Sequence, residues 1–388
     1  MGMKEYDPLD FANRLIRHKK YLIPAASLMP WLPREAAPKT FGTLDETCKK
    51  MVLAGSAEVP ETTVKAFFDR GVREWTVTGV LEHEQSLYVL PGGGCVGRNG
   101  CLVSSDHRAI RETAFMGKYG VEGVKSFSML DPRHWIHRQR GNLTARRSIP
   151  RPQRIPGTAI SMNNCSCHNF FHWLTEVAPR ALAAMQFESK GAMTFIVDHQ
   201  SAYQREILQL LGTKPSQWIQ PHSHLHLQPD QLLWCNEPTS HLLGEFAARI
   251  QRNGKLAKRS SKKIYISRKK ASHRNLINEQ EVEMRLRSEG FESYDFEALP
   301  IQSQIELVSS AESIVALHGA ALAHLLFASP GTKVIEIFPV SRQNYDLYPR
   351  ISRMRGLRHC LVLASQSKHR QQLQVQCTDL FNALQDAL

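Results

Sequence analysis

The pattern of apolar and polar residues divides the chain into a weakly patterned first fifth and a strongly patterned remainder. From Asn169 to Gln186, Phe170, Trp173, Leu174, Val177, Leu182 and Met185 recur near helical spacing, with Pro179 placed to kink the helix. A short apolar run at 192–197, AMTFIV, reads as a buried strand. A second helix over 202–211 ends at Gly212, and 225–227 and 231–235 read as further strands. After a basic, helical connector at 244–262 the pattern becomes clean. KIYIS at 263–267 predicts a strand, and Asn278 with Glu281 makes a capping-box-like start to a helix ending at Gly290. Residues 291–296 are extended. Pro300 opens a helix whose buried face carries Ile301, Ile305 and Val308. A strand at 313–317, a helix at 320–327, a Pro330–Gly331 turn and a strand at 333–338 complete the unit.

Alternating strands and helices imply a parallel sheet covered on both faces. Two such units predict an α/β fold of two Rossmann-like lobes facing a cleft. The expected division is an irregular or β extension at 1–84, a first lobe at 85–243 and a second at 244–388. Residues 85–110 read as short strands and turns, with Asn99-Gly100 as a hairpin signal. Residues 131–156, rich in Pro and Arg, read as a linker or surface loop. Ligands of such sheets bind beyond the carboxyl ends of the strands, so chemistry is sought just after each strand.

Composition changes this picture in two ways. The net charge of +13 over 388 residues calls for an anionic partner: nucleic acid, a membrane surface or a phosphate-bearing small molecule. The eight cysteines are scattered and form no disulfide framework, which fits a reducing compartment. The N-terminus is polar, and the apolar piece at 21–32 is broken by Pro24 and Pro30, too short for a span of about 20 residues. The expected location is cytoplasmic, with peripheral contact at the inner face of the plasma membrane.

Four constellations follow strands or share a helix face. Ser267, Arg268, Lys269 and Lys270, with Arg274, stand directly after KIYIS, where a diphosphate needs cationic forks and donors. His318-Gly319-Ala320 links a strand to a helix, whose first N–H groups suit phosphate. Glu336 is a lone acid in an apolar strand; it either finds a partner such as a ribose hydroxyl pair or points outward. His168, His172 and Glu176 recur every four residues, and a base on that face would deprotonate an acceptor hydroxyl.

Other patterns carry less. HExxH is absent, and Cys165 and Cys167 lack a second pair, so no metal is expected. Gly92, Gly94 and Gly97 satisfy the dinucleotide spacing but precede a strand rather than a helix. His222, His224 and His226 alternate along a partly exposed strand.

Three segments in this order resemble glycosyltransferase family 61: HNFFHWLTEVAPR at 168–180, IYISRKKASHRNLINEQEV at 264–282 and ALHGAALAHLLFASPGTKVIEIFP at 316–339. The resemblance covers roughly residues 85–360. It implies a GT-B-like architecture and an inverting, metal-independent transfer from a nucleotide sugar, with no cofactor. By resemblance, Ser267, Arg268 and Arg274 are diphosphate or nucleotide contacts, and His318, Gly319 and Ala320 form a phosphate turn. Glu336 lies where the ribose is held, and Asn169, His172 and Glu176 form the acceptor side. The chain departs from the family at His324, often Asn, and at Ser303-Gln304, usually Glu-Gln. The expected partners are a nucleotide-sugar donor and a glycan or lipid-linked glycan acceptor, in bacterial capsule, exopolysaccharide or lipopolysaccharide synthesis. The rival readings are a basic nucleic-acid-binding protein, for which no recognition motif is present, and an inactive sugar-nucleotide-binding assembly protein.

Overall fold

A computed structural model of the chain contains two sheets with parallel centres, packed by amphipathic helices and flanked by antiparallel strands. It describes residues 41–114, 148–340 and 346–387, save for 165, 190, 223, 255–259, 270–274 and 367–371, together with 34–36, 138–139 and 142–143. Among the described residues, no helix is long and apolar enough to cross a membrane.

In chain order the strands used below begin with β1 (Lys49–Ala54), β2 (Thr62–Phe68), β3 (Gly71–Val77), β4 (Gln85–Pro91), β5 (Gly94–Val96) and β6 (Cys101–Val103). Next come β7 (Gln153–Ser161), β8 (Met193–Ile196), β9 (Trp218–Ile219) and β10 (His226–Cys235). The last five are β11 (Lys262–Ile266), β12 (Phe291–Tyr294), β13 (Ala311–Leu317), β14 (Lys333–Pro339) and β15 (Arg358–Gln366). The helices are α1 (Ala202–Leu210), α2 (Ser240–Asn253), α3 (Glu279–Ser288), α4 (Ile301–Ser310), α5 (Leu347–Met354) and α6 (Cys377–Ala387).

The first sheet has a parallel centre in the order β9-β8-β7-β10, extended beyond β10 by antiparallel β4 and β5. β5 and β6 pair antiparallel across the Asn99-Gly100 turn, the hairpin expected there. The opening strand, β7, lies partly inside the stretch read as a linker. Its register breaks between Ile155 and Thr158, where Pro156 and Gly157 form a bulge and Gly157 sits at φ 84°. That bulge removes the period-2 signal and explains why the strand is not legible in the sequence.

The second sheet runs β12-β11-β13-β14-β15, all parallel. β14 is buried at every position, as suits a central strand covered on both faces. The order reverses between β11 and β13, which makes the crevice at their carboxyl ends the natural ligand position. β2 pairs with the far edge of β15, and β3 pairs with β2. Residues 62–77, within the expected irregular or β extension, thus pair into the second sheet.

The β2–β3 turn places two non-glycine residues at positive φ, Asp69 at 51° and Arg70 at 60°. Asp379, buried on α6, accepts from both of their backbone N–H groups, at 2.9 and 2.8 Å. Asp379→Ala removes both acceptors and is expected to destabilise the protein by about 2 kcal/mol. A urea midpoint equal to wild type would contradict this role.

One cluster of buried side chains spans both sheets, from Leu87, Ile160 and Trp173 through Phe246 and Leu322 to Ile264 and Ile314. The halves therefore pack on one another through the helices between them. The segment expected as one helix over 169–186 is broken into three pieces. Phe170–His172 is α-helical, Trp173–Val177 is a π turn, and Arg180–Met185 resumes after Pro179. The expected helix at 320–327 is a 3₁₀ helix, Ala320–Phe327.

Candidate active site

The loop after β11 is shaped by one carboxylate. Glu279, buried at the first turn of α3, accepts from Tyr265 Oη (3.0 Å), Ser267 Oγ (2.8 Å) and the Arg268 backbone N–H (3.0 Å). Ser267, expected on a diphosphate, therefore spends its hydroxyl on Glu279. Lys269 is exposed and ion-pairs with Glu283. Arg268 instead turns inward, onto Gly319. A Cβ on Gly319 would collide with Nη1 of Arg268, so only glycine admits the guanidinium there. Gly319 has extended backbone, at φ 173°, and its role is space, not conformation. Burial pulls the Arg268 pKa below its usual value, while Glu297, Tyr348 and Glu279 act to hold the charge. Lys270 and Arg274 lie outside the described residues.

His318 directly follows β13, beside this contact. Its Nδ1 bonds Oε1 of Glu336, and Oε2 of Glu336 bonds Nε2 of His359 at 3.0 Å. Glu336 is fully buried with both oxygens engaged by imidazoles. The carboxylate expected on a ribose instead faces inward between two histidines. Burial pushes its pKa up, but the hydrogen bonds from His318 and His359 outweigh that and hold it below the usual range.

The third cluster lies at the carboxyl edge of the first sheet. His172 Nδ1 is 2.7 Å from Glu176 Oε1, and Asn164 Nδ2, in the loop after β7, donates to Oε2 at 2.8 Å. Burial raises the pKa of Glu176, and the His172 hydrogen bond and charge, Arg180 and Asn164 together lower it below the usual value. An ionised Glu176 accepts from Nδ1–H, which leaves Nε2 of His172 as the basic nitrogen. His172 keeps 38% of its side chain exposed. A carboxylate-oriented imidazole of this kind can act as a general base. His168 does not share the helix face: the helix starts at Phe170, and His168 is exposed in the preceding turn. Asn169 caps the helix, its Oδ1 accepting from the Phe171 N–H at 2.9 Å.

A chain of ring contacts joins the clusters. Phe171 packs on His172 (5.3 Å between centroids) and on Tyr348 (5.8 Å), and Tyr348 packs on His318 (5.2 Å). Phe170 stacks on His324 at 4.9 Å and 24°. Burial takes the His324 pKa down to about 4, so this ring is neutral, and its Nδ1–H donates to the Ala321 carbonyl (2.8 Å). Ala320, half-buried, opens the 3₁₀ helix that the Phe170 end meets.

Asn164, Glu279, Tyr348, Ser352 and His359 are absent from the sequence-derived set. An acid in the first turn of a predicted helix is the signal for Glu279, whereas Asn164 follows β7, a strand the pattern does not reveal. Tyr348, Ser352 and His359 lie beyond the last element that the pattern resolves. Among the described residues, no group of three or more His, Cys, Asp or Glu could hold a metal ion. His226 is buried, with Nδ1 2.7 Å from the Pro150 carbonyl oxygen. Cys165 lies outside the described residues.

Residues 170–335 match the family model described as Glycosyltransferase 61, and they contain the His172–Glu176 pair, Arg268 and the His318-Gly319 turn. The match thus spans the region that carries the site. A stretch of the chain is similar to the EGF domain-specific O-linked N-acetylglucosamine transferase of Drosophila melanogaster, at 30% identity over 100 residues. That similarity covers 24% of this chain and 18% of the length of the fly protein.

Proposed function

We propose that the protein transfers a sugar from a nucleotide-sugar donor to a glycan hydroxyl by single displacement with inversion, on a GT-B-like fold. One observation carries this reading: a carboxylate-oriented imidazole, His172–Glu176, is linked through Phe171 and Tyr348 to an Arg268–Gly319–His318 cluster at the switch point of the second sheet. An inverting transfer needs a base on one side of the anomeric carbon and positive charge on the other.

In this mechanism Nε2 of His172 takes the proton of the acceptor hydroxyl as its oxygen attacks the anomeric carbon. Glu176 orients the ring and stabilises the imidazolium that forms. The bond to the donor phosphate breaks, and its electrons pass to the leaving nucleoside diphosphate. Arg268 and the turn at Gly319 stabilise that charge as preorganised groups, without a metal. Ser267 and Glu279 hold the loop from which Arg268 reaches. An acceptor in bacterial surface-polysaccharide synthesis rests on the family resemblance, and a cytoplasmic location with peripheral membrane contact on the scattered cysteines, the polar N-terminus and the net charge of +13.

The test is a thermal-shift panel of nucleotide sugars on the full chain, followed by calorimetry with the best ligand. Binding stabilises the fold by mass action. Arg268→Ala is expected to weaken that binding by about 10- to 100-fold, the scale of a charge-assisted hydrogen bond. Unchanged affinity would remove Arg268 from the donor site, and a panel without any shift would remove the donor.

A further inference from the structure

Behind the anion-site turn lies a buried hydrogen-bond chain that the transfer mechanism does not use. Ser352 Oγ, on α5, is 2.7 Å from His359 Nδ1. His359 Nε2 is 3.0 Å from Glu336 Oε2, and Glu336 Oε1 bonds His318 Nδ1. Ser352 and Glu336 are fully buried, and the side chains of His359 and His318 are each 2% exposed. Ser, His and Glu in a row suggest a nucleophile triad. That reading fails because Ser352 has no access to solvent and bonds Nδ1, while the acid holds Nε2.

Proton accounting assigns the charges. A buried hydroxyl must place its proton on an acceptor. Among the described residues, Ser352 Oγ has one partner, His359 Nδ1, so it donates there. Nδ1 of His359 is then an acceptor, and His359 is neutral with its proton on Nε2, donated to Glu336. Glu336 takes the His359 Nε2–H on one oxygen and faces His318 Nδ1 with the other, and a buried carboxylate between two neutral rings would be an uncompensated charge. His359 is already assigned as neutral, so the compensating proton falls to His318. Tyr348 and Phe338 also touch this ring, and near it Arg268 packs on Gly319 and itself faces Glu279 and Glu297. His172 and Glu176 approach through Phe171.

We propose that Ser352, His359 and Glu336 are positioning residues that hold His318 as an imidazolium beneath the Gly319 turn, adding a second fixed positive charge to Arg268 at the anion site. The use of that charge for a diphosphate rests on the donor reading above. The relay itself does not.

The experiment is nitrogen NMR of the full chain labelled with ¹⁵N-histidine at pH 7.5, with the His318 signals assigned by their loss in His318→Gln. Calorimetry with uridine and guanosine diphosphate runs in parallel. In wild type, both His318 nitrogens are expected to be protonated, and His359 neutral. Glu336→Gln is expected to return His318 to the neutral form and weaken diphosphate binding about tenfold, the equivalent of one partly screened charge. His359→Gln keeps a donor to Glu336 and is expected to preserve both the His318 signature and the affinity. His359→Leu should lose both; if it does not fold, the two glutamine variants decide. A neutral His318 in wild type, or an imidazolium that survives Glu336→Gln, overturns the proposal. If the spectra come out as expected while neither diphosphate binds, the relay stands and the donor reading falls.

Discussion

His172→Ala is expected to lower kcat on the order of 10²- to 10⁴-fold, the range for removal of a positioned general base. The assay is nucleoside diphosphate release at saturating donor and acceptor, with the donor taken from the thermal-shift panel. The loss should fall on kcat and spare donor binding, because His172 ends the short helix Phe170–His172 that follows β7, whereas Arg268 and Gly319 stand just after β11 and β13. Glu176→Gln should reproduce much of the defect. The amide can still face Nδ1, but it supplies no charge to stabilise the imidazolium and does not enforce the tautomer with Nε2 unprotonated. Both oxygens of Glu176 are already bonded, to His172 and Asn164, which makes it the poorer candidate to take the acceptor's proton directly. Near-normal turnover in His172→Ala would transfer the base to another group.

Gly319→Ala should raise the donor KM by about 10- to 100-fold with little change in thermal stability. The separation of these effects follows from what the new methyl group meets. Its collision is with the end of the Arg268 side chain, which can swing aside, and not with backbone. The fold therefore tolerates the substitution while the guanidinium loses its seat. Arg268→Ala/Gly319→Ala should be no worse than Arg268→Ala alone, since both changes act through one group. Additive losses would show that Gly319 contributes through something other than the arginine.

Sequence pattern places the site's elements but not its contacts. The spacing of His172 and Glu176 is visible as four residues on a helix, and the pair forms even though the helix passes into a π turn. His168 fits the same count yet lies before the helix cap, because Asn169 stops the helix there. Arg268 and Gly319 each stand after a strand, as legible signals, but their mutual contact depends on β11 and β13 being neighbours. Glu336 illustrates a different limit. Alternation leaves its direction open, and its partners come from β13 and β15, with Ser352 behind them on α5, in a stretch the pattern leaves unassigned. β2 and β3 are missed for a physical reason: β3 lies at the outer edge of its sheet and is mostly exposed, so no apolar stripe marks it.

The pairing of β2 with β15 has a consequence for how the molecule is made. The ribosome releases β2 well before its partner β15, a wait on the order of tens of seconds at cellular elongation rates. During that time the early strand is an unpaired edge, open to pairing with other chains. The second sheet thus closes only after β15 has emerged, and a fragment starting at residue 244 would expose the flank of β15 that β2 covers.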